Sequence, residues 1–101
     1  MAAFPRRTDP DGRSGTYLVE CYWPGVTEEL ARTAEVRARE VTAELRSSGR
    51  EVAFLGSVVV PADETVFCFF EGCEADVRAA SERARLPFER VLEAEPVQVG
   101  H

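Results

Sequence analysis

Two runs of β-branched and aromatic residues, EVAFLGSVVV at 51–60 and TVFCFFEGC at 65–73, flank the short polar stretch PADE and form the most apolar part of the chain. Such side chains fit a pleated, half-buried surface, so the pair reads as a β-hairpin against which everything else must pack. TYLVECY at 16–22 predicts a first strand, closed by Trp23-Pro24-Gly25 because Pro24 has no N–H to donate to a ladder. Leu30, Ala34, Ala38, Val41 and Leu45 then recur at spacings of four and three, the period of one helical face. Thr27 is the expected N-cap, with Glu28 and Glu29 where the helix dipole favours negative charge. Glu28–Arg32 and Glu35–Arg39 support the outer face in the favourable i,i+4 order, and Gly49 ends the helix near Ser48. A shorter helix fits 74–85, with Val77, Ala80 and Ala84 inward and Pro87 as its stop. The last strand is expected at 89–94.

Strand, helix, strand, strand, helix, strand is the βαββαβ order. Right-handed crossovers and short connections lead from it to an α+β, ferredoxin-like sandwich, a four-stranded antiparallel sheet with two helices on one face. The first and third strands are central in that arrangement. Alternation then assigns their faces. Burying Glu20 or Glu71 beneath helices without a partner would cost several kcal/mol, so both are expected on the helix-free face with Leu18, Tyr22, Phe67 and Phe69. Cys21, Cys68, Val19, Val66 and Phe70 belong to the helix-side core.

A helix-free face this aromatic calls for cover, since large apolar patches mark interfaces or ligand sites. Two sheets meeting face to face would supply it, and a two-fold homodimer, a dimeric α/β barrel, is the commonest solution. Leu18, Tyr22, Phe67 and Phe69 are the expected interface. Glu20, Tyr22, Phe67, Phe69 and Glu71 would line any cavity left between the sheets. A carboxylate held among aromatic rings suits a ligand anchor or a general base; at an interface rim it would merely bond tyrosine or backbone.

Composition narrows this picture little. Residues 1–15 carry two Pro, two Gly, three Arg and two Asp around Phe4 and cannot bury enough surface to offset chain entropy, so a disordered N-terminal tail is expected. The folded domain is expected at 16–96, with a C-terminal tail at 97–101. The net charge of the 101 residues is -6, which argues against nucleic acid as a partner. No window approaches the roughly 18–20 apolar residues of a membrane span, and the N-terminus lacks the apolar core of a signal peptide. Three cysteines without an export signal point to the cytoplasm and free thiols.

Metal and catalytic motifs are sparse. His101 is the only histidine and the last residue, and the seven glycines are scattered rather than gathered in a phosphate-binding loop. Cys68 and Cys73 lack the C-x-x-C spacing. Cys21 and Cys68 are expected as strand neighbours, acting as small core hydrophobes.

With these elements placed, the chain resembles a family of small bacterial ferredoxin-like proteins, a domain-of-unknown-function family whose best described type is a nickel-binding, nickel-responsive protein. The resemblance is carried by YLVECYWPGVT (17–27), FLGSVVVPADETVFCFFEG (54–72) and RARLPFERVLEAEP (83–96). It implies the ferredoxin-like fold and a dimer. Cys68 matches the family's strand cysteine, while the position aligned to a second-helix histidine is Ala80. No cofactor and no tight nickel site are therefore expected, although nickel is the metal the family would suggest.

The leading functional expectation is a non-catalytic binding protein that holds a small ligand or metal in or near the cavity between two sheets. A cofactor-independent enzyme of isomerase, cyclase or monooxygenase type, using Glu20 or Glu71 with Tyr22 for proton transfer, is the alternative. A purely structural interaction module is the third.

Overall fold

The computed structural model describes residues 14–95 and Val97. The expected N-terminal tail, through residue 13, and the expected C-terminal tail apart from Val97 lie outside the described residues. The elements run β1 (Gly15–Tyr22), α1 (Glu28–Ser47), β2 (Val52–Val60), a single 3-10 turn (Pro61–Asp63), β3 (Thr65–Gly72), α2 (Glu74–Arg83) and β4 (Phe88–Ala94). They form a four-stranded sheet in the order β2-β3-β1-β4, antiparallel throughout, with β1 and β3 in the centre. Both predicted helices and the predicted hairpin are present, in the α+β ferredoxin-like arrangement.

Local chemistry accounts for the element ends. The Leu30 amide donates to Thr27 Oγ1 at 3.1 Å, so Thr27 is the N-cap of α1. Glu28–Arg32 and Glu35–Arg39 close at 2.7 and 3.0 Å along the outer face. At the other end, Gly49 takes a φ of +98°, which a residue with a side chain adopts only with strain.

The inward face of α1 differs from its sequence pattern at one end. Leu30 is exposed, and Ala31, Ala34, Ala38, Thr42 and Leu45 are the residues buried. Three alanines on the contact stripe let the helix axis approach the sheet closely, and Leu30, one position off the stripe, is carried onto the solvent side. Thr42 keeps its hydroxyl satisfied by donating to the Arg39 carbonyl at 3.1 Å. Val77 and Ala80 on α2 and Ala84 at its C-cap are fully buried, as their spacing predicts.

The core lies between the helices and one face of the sheet. Tyr17, Val19 and Cys21 of β1, Val66, Cys68 and Phe70 of β3, and Val52 and Phe54 of β2 point into it. Phe54 and Phe70 meet edge to face with centroids 5.2 Å apart, and the Arg39 guanidinium lies 5.0 Å over Phe54. Every strand residue facing the core implies neighbours facing the other way.

Candidate functional site

Strand register lays out the helix-free face as four rows. At one end Val60, Thr65 and Tyr22 stand side by side. The second row is Val58–Phe67–Glu20–Arg90, the third Gly56–Phe69–Leu18–Leu92, and the fourth Ala53–Glu71–Thr16–Ala94. Leu18, Phe67, Phe69 and Leu92 are half-buried and Val58 is exposed, with no described element over them. All six sequence-predicted residues, Leu18, Glu20, Tyr22, Phe67, Phe69 and Glu71, therefore share this face, where alternation put them.

The face does not gather them into one cluster. Glu20 and Glu71 sit in rows four residues apart along β1, roughly 13 Å at strand rise. Glu20 is occupied by Arg90, whose Nε donates to Oε1 at 2.9 Å and whose Nη2 lies 2.7 Å from the same oxygen. Arg90 escapes a sequence search because its pairing with Glu20 spans seventy positions. Glu71 is exposed, and among the described residues no cation pairs with it.

Tyr22 lies at the far end, in a cluster built on a residue that the hydrophobic pattern does not single out. Glu64 follows the 3-10 turn in a left-handed conformation, φ +53°. Its Oε1 accepts the Tyr22 hydroxyl at 3.3 Å, its Oε2 accepts the Gly25 amide at 3.0 Å, and its carbonyl accepts the Trp23 amide at 2.7 Å. One residue thus ties the β2–β3 turn to the Trp23-Pro24-Gly25 turn after β1. The charge of Glu64, followed by its hydrogen bond, holds the Tyr22 phenol above its usual value, and Glu89 pushes the same way. The only cue in the sequence is an acid at the end of PADE, where Gly or Asn would be the ordinary left-handed residue.

At the opposite end of the sheet a cleft of about 540 Å³ opens between the C-terminal end of α1 and the ends of β1, β2 and β3. Arg46, Arg50, Glu51, Val52, Glu71 and Gly72 line it. Arg46 donates to the Val52 carbonyl at 3.2 Å and Arg50 to Asp76 at 3.0 Å. Gly72 is forced here. A Cβ on it would stand 2.6 Å from the Glu51 carbonyl oxygen, and its φ is +146°.

The thiols fall on the helix side. Cys21 and Cys68 are buried neighbours, and hydrogen bonding between them, then burial, pushes the Cys68 thiol far up; the charge of Glu35 adds to this. Such a thiol stays protonated and inert. Among the described residues no three of His, Cys, Asp or Glu are grouped to hold a metal ion. Ala80 is fully buried in the core.

A family model described as nickel responsive protein, SCO4226-like, matches residues 17–94. Among solved structures, the crystal structure of SCO4226 from Streptomyces coelicolor A3(2) superposes with a TM-score of 0.69 at 22% identity, covering 84% of this chain and all of that one. Identity at that level speaks to the fold. No curated protein sequence matches.

Proposed function

The chain belongs to the SCO4226-like nickel-responsive family, and from that premise we propose that it is a small non-catalytic binding protein working from the helix-free face of its sheet. Two copies meet through that face and enclose a small ligand between them. The observation that carries the reading is the uncovered apolar band Phe69–Leu18–Leu92 with Phe67 beside it, on the two central strands and β4. Four strands at about 4.8 Å and eight residues at about 3.3 Å give a face of roughly 500 Å² in plan. That is the order of area one partner contributes to a standard protein interface.

Nickel fits this chain poorly. A borderline divalent metal needs imidazole, thiolate or several carboxylates. The single imidazole is His101, Ala80 offers no donor, and Cys68 is held protonated by its thiol partner and its burial. We therefore assign the face to a small organic ligand rather than to the metal in the family's description.

Light scattering of the purified protein tests the self-association. A mass of twice the 11.2 kDa chain is expected at micromolar concentration, falling to one chain for Leu18→Asp. A wild-type protein that runs as a clean monomer overturns the reading.

A further inference from the structure

The charge pattern of the open face identifies the chemical class of its ligand. Of the two carboxylates there, Glu20 is paired with the Arg90 guanidinium. Glu71 forms no ion pair among the described residues, although it borders the cleft that Arg46 and Arg50 also line, where Arg46 is engaged by the Val52 carbonyl and Arg50 by Asp76. It stands two residues along β3 from Phe69, on the same face, so ring and carboxylate border the same space. That space is roomy. The neighbours of Glu71 in its row are Ala53, Thr16 and Ala94, and a Cβ built on Gly56, beside Phe69, would meet nothing within 4 Å. The β2 positions paired with Phe69 and Glu71 therefore carry no side chain and a methyl group, and the exposed Leu55, unpaired in the bulge between them, adds an apolar side chain at this edge.

We propose that this corner binds a small organic ammonium, with its nitrogen between Glu71 and the ring of Phe69 and its apolar body along Leu18 and Phe67. A carboxylate and an aromatic face both favour a cation, the first by charge and the second through the ring quadrupole. Charge complementarity extends beyond the corner, because the net charge of -6 draws cations and repels anions at long range. A neutral or anionic ligand would leave the Glu71 carboxylate partly desolvated with nothing in exchange. This inference rests on the reading of the sheet face as the binding surface.

The test uses three probes with one apolar body: phenethylamine, 2-phenylethanol and 3-phenylpropionate. They are titrated separately into the intact chain and followed by amide NMR shifts. The amine is expected to bind about tenfold more tightly than the alcohol, from an exposed ion pair plus a cation–π contact, and the carboxylate most weakly. Shifts should centre on Phe69, Glu71 and Gly56. Glu71→Gln should reduce the preference for the amine to the few-fold that the Phe69 ring supplies while leaving the alcohol's affinity in place, and added salt should weaken only the amine. Phe69→Leu, which keeps the site apolar, should weaken the amine more than the alcohol. Equal binding of amine and alcohol, an amine preference undiminished by Glu71→Gln, or shifts that map away from the face overturns the ammonium assignment. If amine and alcohol bind equally and Phe69→Leu weakens both, the face stands as the binding surface and only the ligand class falls. If no probe binds and the protein is also a monomer by light scattering, the parent reading falls with it.

Discussion

Replacing Gly72 by alanine should damage this fold more than any other single-methyl change at a described glycine. The new Cβ would lie 2.6 Å from the Glu51 carbonyl oxygen and 3.2 Å from Val52 Cα, and both are backbone atoms. They cannot step aside cheaply, because Val52 pairs with Gly72 in the β2–β3 ladder and its carbonyl also accepts from Arg46. Rotating Gly72 instead, away from its φ of +146°, breaks the same rung and the Gly15–Gly72 rung to β1. A side chain held in a conformation that only glycine adopts freely costs about 1–3 kcal/mol. Overpacking adds about 1–3 kcal/mol. The lower entropy of alanine in the unfolded chain returns about 0.4–1 kcal/mol. The net expectation is a loss of about 1–6 kcal/mol, with a centre of about 3, a large share of the roughly 5–15 kcal/mol that holds a domain of this size. At about 4–8 °C per kcal/mol a loss of about 3 kcal/mol lowers the midpoint by about 10 °C or more. Urea and thermal unfolding followed by far-UV circular dichroism measure it, with all variants at one protein concentration because self-association would shift the midpoints. Gly15→Ala is the control. It sits on the same rung but would meet nothing within 4 Å, and its φ is not positive, so its stability should change by less than about 0.5 kcal/mol. A Gly72→Ala protein within about 1 kcal/mol of wild type, or a Gly15→Ala protein that falls equally far, would refute the argument.

Two further outcomes follow from the site. Glu64→Gln should bring the Tyr22 phenol back toward the ordinary tyrosine value of 10.0, since the charge of Glu64 is the largest cause of its elevation; ring-carbon NMR titration reads this directly. With the folded value above the unfolded one, Tyr22 favours the native state at lower pH, and that contribution is lost as pH rises through 10 toward the folded value. A wild-type curve flat across that window while Glu64→Gln changes it would contradict the sign. Equilibrium dialysis against nickel, after removal of any purification tag, should give no stoichiometric binding. Stoichiometric binding that survives deletion of His101 would show that the described fold holds a metal site after all.

The sequence alone determined the element order, the hairpin, the helix cap at Thr27 and the division of β1 and β3 between two faces. All of these rest on short-range rules: a period of two in strands, a period near 3.6 in helices, and the refusal of Glu20 and Glu71 to lie unpaired beneath helices. The same rules misplaced Leu30, because the phase of a helical stripe is fixed by which residues let the helix approach the sheet, and three alanines decide that here. Tertiary structure alone decided how far apart the face residues lie and what occupies them. Alternation assigns a side chain to a face but carries no register, so it could not separate Glu20 from Glu71 by four rungs or bring Arg90 to Glu20 from seventy positions away. Nor could it show Glu64 clasping two turns. Gly72 looks in the sequence like one more glycine near a strand end, and only the approach of the Glu51 carbonyl makes it a position where no side chain fits. Long-range pairing is settled by the sum of all strand and helix contacts, and no local stretch of the chain contains that sum.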